Sequence, residues 1–255
     1  MPHYKTNYIT QVLIRADFVQ GSCPMVGAPD DTLLSLLTEY PLRSAVNRAK
    51  NEIRLEKTPQ GPVKNTRTIQ FAEHNFFTAD KSRHVALCSE YTFLECRRYE
   101  DYGSLREEFL ALTDALAAKF PALAVSRLGM RYINEIKLPN AADGTGLGAD
   151  FWKDYVNELL LGGLRFAAND GALARQMNST ELNYGSDRAT IKYGIFNTEY
   201  PKPNRRREFV LDIDTYCVER LTPDAIPARL DAFHTAACSV FETAITDKLR
   251  AKMLQ

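Results

Sequence analysis

Alternation of apolar and polar residues marks the first element of the chain. Tyr8, Thr10, Val12, Ile14, Ala16 and Phe18 alternate with Ile9, Gln11, Leu13, Arg15 and Asp17. A two-residue period predicts a strand with one apolar face and one mixed face. A loop follows, from Gly21 to Asp31. Asp31 or Thr32 is placed to cap a short helix carrying Leu33, Leu34, Leu36 and Leu37, which Pro41 ends. Strands are expected at Ile53–Glu56, Thr68–Phe71, His84–Leu87 and Tyr91–Cys96, with turns at Pro59–Pro62 and Thr78–Lys81. Leu105, Phe109, Leu112, Leu116 and Phe120 then keep helical spacing. Ser104 and Glu107 before and within that run form a capping box.

The same order then starts again. Leu128, Met130, Tyr132, Asn134 and Ile136 alternate with a charged set, Arg127, Arg131, Glu135 and Lys137. A glycine-rich loop from Asp143 to Gly148 leads to a predicted short helix, Asp150–Leu161. Strands are expected around Leu164–Phe166, Asn178–Tyr184, Ala189–Phe196 and Phe209–Val218. Pro223 opens a last long helix, whose apolar stripe runs from Ile226 through Leu230, Phe233, Ala237 and Phe241 to Leu249. Antiparallel strands need cover on one face, and a long helix ending each half supplies it. The expected fold is therefore α+β. Two β-α-β-β-β-α halves, residues 1–122 and 123–255, join into one curved, mostly antiparallel sheet with both long helices on one side. The nearest residue match between halves is Val12-Leu-Ile-Arg15 against Leu128-Gly-Met-Arg131.

Composition narrows the function classes. The chain has 255 residues, enough to bury a sizeable core, and its 32 Lys and Arg balance 32 Asp and Glu. Bulk charge therefore gives no general attraction to nucleic acid or an anionic membrane. No apolar run approaches bilayer length, and residues 1–5 lack the apolar core of a signal peptide, so the expected location is cytoplasmic. Cys23, Cys88, Cys96, Cys217 and Cys238 are dispersed without C-x-x-C spacing, which fits reduced, packed thiols. No cofactor or metal is expected.

Candidate chemistry is sparse. Gly144-Thr-Gly146-Leu-Gly-Ala149, with Asp170 downstream, imitates a dinucleotide-binding fingerprint. The preceding strand alternates, however, where a central parallel strand is apolar on both faces, and no βαβ order follows. Arg127 and Arg131 share one strand face; Asp212 and Asp214 share another. Paired carboxylates can hold a divalent cation or pair with arginines across a sheet. His234, flanked on its helix by Leu230 and Cys238, is read as a buried histidine bonded to a neighbour, with the aspartates as candidate partners. Arg205, Arg206 and Arg207 form a basic connection able to meet phosphates. His74 and His84 are expected to be exposed.

Arg127-Leu-Gly-Met-Arg-Tyr-Ile-Asn134 resembles the central signature of a sporadically distributed family of uncharacterised bacterial proteins of about 250 residues. Tyr8-Ile-Thr-Gln-Val-Leu13, Leu211-Asp-Ile-Asp214, and His234 with Phe241-Glu-Thr-Ala-Ile-Thr-Asp247 are similar to further parts of it. The resemblance implies no activity, and its patchy distribution suits a mobile-element or defence-associated locus. The expected function is a non-enzymatic binding or regulatory protein. Its polar sheet face would hold another protein or a small anionic ligand through Arg127, Arg131, Asp212, Asp214 and His234. Nucleic acid is a weaker candidate and a membrane is not one. The alternative is a metal-dependent phosphoesterase or nuclease, with Asp212 and Asp214 as ligands and His234 as base.

Overall fold

The computed structural model describes residues 4–58, 61–142, 147–166 and 170–255. Its strands are β1 (Ile9–Phe18), β2 (Leu42–Thr58), β3 (Gly61–Phe77), β4 (Arg83–Leu87), β5 (Tyr91–Cys96), β6 (Val125–Lys137), β7 (Gln176–Tyr184), β8 (Asp187–Ile195) and β9 (Glu208–Cys217). The helices are α1 (Asp31–Ser35), α2 (Tyr102–Lys119), α3 (Ala149–Trp152), α4 (Gly162–Phe166), α5 (Ile226–Ala244) and α6 (Asp247–Met253). All nine strands form one open antiparallel sheet in the order β2-β3-β4-β5-β1-β6-β9-β8-β7. This is a mixed α+β architecture in which α2 and α5 are the long helices. β1 and β6 form the central pair of the sheet, where Arg15 lies opposite Gly129. Among the described residues no helix is long and apolar enough to cross a membrane.

The two-residue period decides which side of the sheet is covered. Val12, Ile14 and Ala16 of β1 and Leu128, Met130 and Tyr132 of β6 point to one side. There they join Leu105, Phe109, Leu112 and Leu116 of α2 and Leu230, Phe233 and Ala237 of α5 in a single core. A smaller core gathers Trp152, Leu164, Ile195, Phe209 and Leu249. The alternate residues of each strand face the uncovered side, as one-sided antiparallel sheets allow.

Several sequence expectations need correction. Leu164–Phe166 is helical, within α4, and the expected helix over Asp150–Leu161 is a single turn, α3, followed by a 3-10 turn at Glu158–Leu161. Three apolar residues in a row do not distinguish strand from helix. Asp101, not Ser104, caps α2; its carboxylate accepts from the Ser104 backbone N–H at 2.8 Å. Asp30, rather than Asp31 or Thr32, caps α1. The last helix is interrupted: Ile245 is extended, and Thr246 caps the separate α6. The largest difference is at β2 and β3, which extend for 17 residues each where short strands were expected. The Gly144–Gly146 run lies outside the described residues.

Candidate functional site

The alternation along β6 and β9 places the four charged candidates on the uncovered face. The antiparallel register sets Arg131 opposite Asp214 and Ile133 opposite Asp212. Arg131 reaches diagonally, donating from Nε and Nη2 to the two oxygens of Asp212 at 2.7 and 2.6 Å. Arg127 donates to Asp214 at 3.2 Å and lies over the Tyr216 ring. Gly129 makes room for this: a Cβ there would sit 2.9 Å from Arg127 Nη1. The network continues across the sheet. Arg127 is 3.9 Å from Asp17, and Arg15 forks onto Asp17 while stacking over Tyr91. Tyr91 in turn donates to Glu73, which also accepts from Arg48 and Asn75.

The electrostatics of this face are mostly internally settled. Burial alone would raise Glu73, but the bonds from Arg48, Tyr91 and Asn75 bring its pKa down to about 2. Asp214 behaves oppositely. Burial pushes its pKa up, Arg127 and Arg131 oppose this, and nearby Asp212 adds to it. A groove of about 380 Å³ is lined by Arg127, Arg131, Thr190, Lys192, Asp212 and Asp214. Among the described residues, Lys192 is the one cation in it that makes no direct ion pair, although its charge also acts on Asp214. These contacts are those of cross-strand ion pairs, since the guanidinium groups already occupy the carboxylates. Among the described residues no three His, Cys, Asp or Glu side chains are grouped to hold a metal ion.

His234 is not part of this arrangement. It lies on α5, on the covered side, and its partner is neither aspartate: Nδ1 shares a 2.8 Å hydrogen bond with the Tyr132 hydroxyl. The hydrolytic alternative placed His234 beside Asp212 and Asp214, and the sheet separates them. The basic connection is also largely occupied. Arg206 pairs with Glu199 at 2.8 Å, and Arg207 lies over Phe151 and donates to the Pro139 carbonyl; Arg205 is exposed. His84, expected to be exposed, is half-buried, stacked on Phe77 and bonded to Asn75 at 2.7 Å. His74 is also partly covered, with a buried Nε2 that has no hydrogen-bond partner among the described residues.

Around His234 the covered side of the sheet opens into a cavity of about 250 Å³, mostly apolar in its lining. Tyr8, Tyr99, Tyr102, Tyr132, Asn134 and His234 supply its aromatic and neutral polar groups, and Glu100, Asp101 and Glu242 add carboxylates to the lining. The Tyr102 ring stacks on His234 at 3.9 Å between centroids, held by its hydroxyl on Asp231, which Arg106 grips with two further bonds. Asn134 is only 3% exposed and donates to the Leu211 carbonyl; its own carbonyl oxygen has no hydrogen bond among the described residues. Burial holds His234 below its usual pKa, with Asp231 pulling the other way. It pushes Tyr132 far above the ordinary phenol range, Tyr99 to about 12 and the Cys238 thiol to about 11. These four groups are thus neutral near pH 7, and the charge in the lining comes from Glu100, Asp101 and Glu242. At its outer end Tyr4 donates to Glu242 at 2.6 Å, and Arg250 pairs with the same carboxylate at 3.0 Å.

The four candidates on β6 and β9 are therefore brought together, whereas His234 belongs to a second place that sequence reasoning missed. One signal for it was present. Tyr132 and Asn134 sit on the otherwise apolar face of β6, and a buried asparagine there needs a partner. All five cysteines are free; four are buried and Cys238 is half-buried. No protein-family model matches the chain, and no curated protein matches it.

Proposed function

We propose that the chain is a non-enzymatic binding protein whose ligand seat is the tyrosine-lined cavity between β6 and α5. The ligand class is a small, neutral, planar molecule with a hydrogen-bond donor. One observation carries this reading: a mostly apolar cavity closes on the free carbonyl oxygen of the buried Asn134. Binding sites commonly combine apolar walls with a few fixed polar groups. An anionic ligand would lose hydration against a lining that, among the described residues, holds three carboxylates and no lysine or arginine, while the groups around Asn134, Tyr132 and His234 suit a neutral one. The uncovered face supports a different role, because an anion there must displace Asp212 from Arg131 or rely on Lys192 alone.

The motif from Arg127 to Asn134 serves both faces in this account. Arg127, Gly129 and Arg131 build the ion-pair network, while Tyr132 and Asn134 line the cavity. The resemblance to the bacterial family with this motif, and a regulatory role in a defence-associated locus, belong to the same proposal. So does internal duplication. Its support is the strand order, in which β1 and β6 pair centrally and each is flanked by its own half's returning strands.

Isothermal titration of indole, used as the probe, tests the seat. The wild type is expected to show saturable one-site binding. Cys238→Phe, which fills the cavity from α5, should abolish that heat while circular dichroism stays unchanged. Equal binding in both proteins, or none by indole and phenol in the wild type, would overturn the assignment.

A further inference from the structure

The outermost pair of strands departs from the rest of the sheet. β3 pairs with β4 only from His74↔Leu87 to Phe77↔His84, whereas it pairs with β2 over its whole length. Among the described residues, β3 pairs with β2 alone from Glu73 outward to Gly61. Bonds to the body reach as far as Lys50–Glu90 and Gln20–Glu52, so beyond the Glu52↔Arg67 pair the two strands project as a ribbon about 20 Å long, at the usual rise per residue. From Val46 to Ile53 and from Val63 to Gln70, only Glu52 and Ile69 are partly covered. A two-stranded ribbon with both faces in water has little to stabilise it by itself.

Its charge is as distinctive as its shape. Between residues 43 and 70 the sequence holds seven lysines and arginines and two glutamates, in a chain that is neutral overall. The body therefore carries the compensating acid excess. Near the base, Arg48 pairs with Glu73 and Lys50 with Glu90. Farther out, Lys64 and Arg67 have no carboxylate partner among the described residues. Charge on an exposed edge strand, lysine above all, also prevents edge-to-edge pairing. The net positive charge of the ribbon against an acidic body complements a polyanion. Asn47, Asn51, Thr66, Thr68 and Gln70 all alternate onto one face of the ribbon together with Lys64, while Arg48, Lys50 and Arg67 alternate onto the other.

We propose that the β2–β3 ribbon is a nucleic-acid-binding arm that lies in a groove of a duplex. Its cations would neutralise phosphates along the rims, and its amide and hydroxyl face would meet base edges or sugars. The major groove of B-form DNA, about 12 Å wide, admits a two-stranded ribbon. The acidic body is repelled by the same phosphates, so the arm enters first. The cavity and the arm are far apart in the fold, and neither reading depends on the other.

Fluorescence anisotropy with a labelled 20-base-pair DNA duplex and the matching RNA duplex, across a salt series, tests the arm. Binding to either duplex supports it, and the preference between them identifies which groove is used. Lys64→Ala with Arg67→Ala should weaken binding at least about tenfold. It should also reduce the slope of log K against log salt by about 2, one unit for each phosphate that is no longer neutralised. Arg205→Ala, which removes a cation from the body, should leave that slope unchanged. Absence of duplex binding at 50 mM salt would overturn the proposal, and so would an unaltered slope in the Lys64/Arg67 variant. Binding to phosphatidylserine vesicles without duplex binding would overturn it equally.

Discussion

Asp212→Asn and Asp214→Asn, two residues apart on β9, are expected to have different effects on stability. Asp212 is 7% exposed and accepts two bonds of 2.6 and 2.7 Å from Arg131. Asparagine removes the charge and can satisfy only one of those donors. Hydrogen bonds to charged groups contribute roughly 1.5–3 kcal/mol each. Arg131 keeps 39% of its side chain exposed and can regain water, so a net loss of about 2 kcal/mol is expected. For a chain of this size that lowers Tm by about 4–8 °C. At Asp214 burial already disfavours the carboxylate and Asp212 repels it. Neutralising it should change stability by less than about 0.5 kcal/mol in either direction.

The pH dependence separates the two positions further. A carboxyl whose pKa is raised by folding binds more protons in the native state than in the unfolded state. Its stabilising contribution is present below the unfolded value, 3.8, and is lost as pH rises through the folded value. Lowering the pH from 7 toward 4 should therefore favour wild type relative to Asp214→Asn. Urea unfolding followed by circular dichroism, at pH 7 and near pH 4.5, reads both effects. Equal losses for the two variants at pH 7, or a larger loss at Asp214, would refute this account of the network.

Other positions give independent checks. Asp101→Ala should cost about 1 kcal/mol in urea unfolding, because it uncaps α2, whereas Ser104→Ala should cost clearly less. Trp152→Ala empties the centre of the smaller core, where the ring is fully buried and packs on Phe209. A loss of about 3–5 kcal/mol is expected in the same assay. His234 is held below its ordinary pKa of 6.5 by burial, so the stability it contributes is present above about pH 6.5 and declines as pH falls toward the folded value. His234→Phe should flatten that part of the stability–pH curve; an unchanged slope between pH 7 and 5 would contradict it.

What the sequence disclosed follows from where water lies. β1 and β6 have one covered and one open face, so their alternation was plain, and the apolar stripes of α2 and α5 marked both long helices. The same alternation showed that Arg127 and Arg131 share a face, as do Asp212 and Asp214. It could not show that β6 and β9 are neighbours, because that pairing joins residues far apart in the chain. The β2–β3 ribbon was only partly legible: from Val46 to Ile53 and from Val63 to Gln70 both of its faces are wet, so no period distinguishes it from loop. The break between α5 and α6 was hidden because Ile245 and Leu249 continue the apolar stripe across it. The cavity drew on β1, the start of α2, β6 and α5, and no local pattern unites Tyr8, Tyr102, Asn134 and His234.

The central claim, that the seat lies beside Asn134 and His234, is tested most directly by mapping chemical shifts during an indole titration. Aromatic and histidine side-chain signals of Tyr8, Tyr99, Tyr102, Tyr132 and His234 are predicted to move together with one dissociation constant, as is the Asn134 side-chain amide. The same signals should stay still in Cys238→Phe. Shifts confined to the uncovered face around Tyr216 and Lys192, or no saturable shift anywhere, would contradict the account.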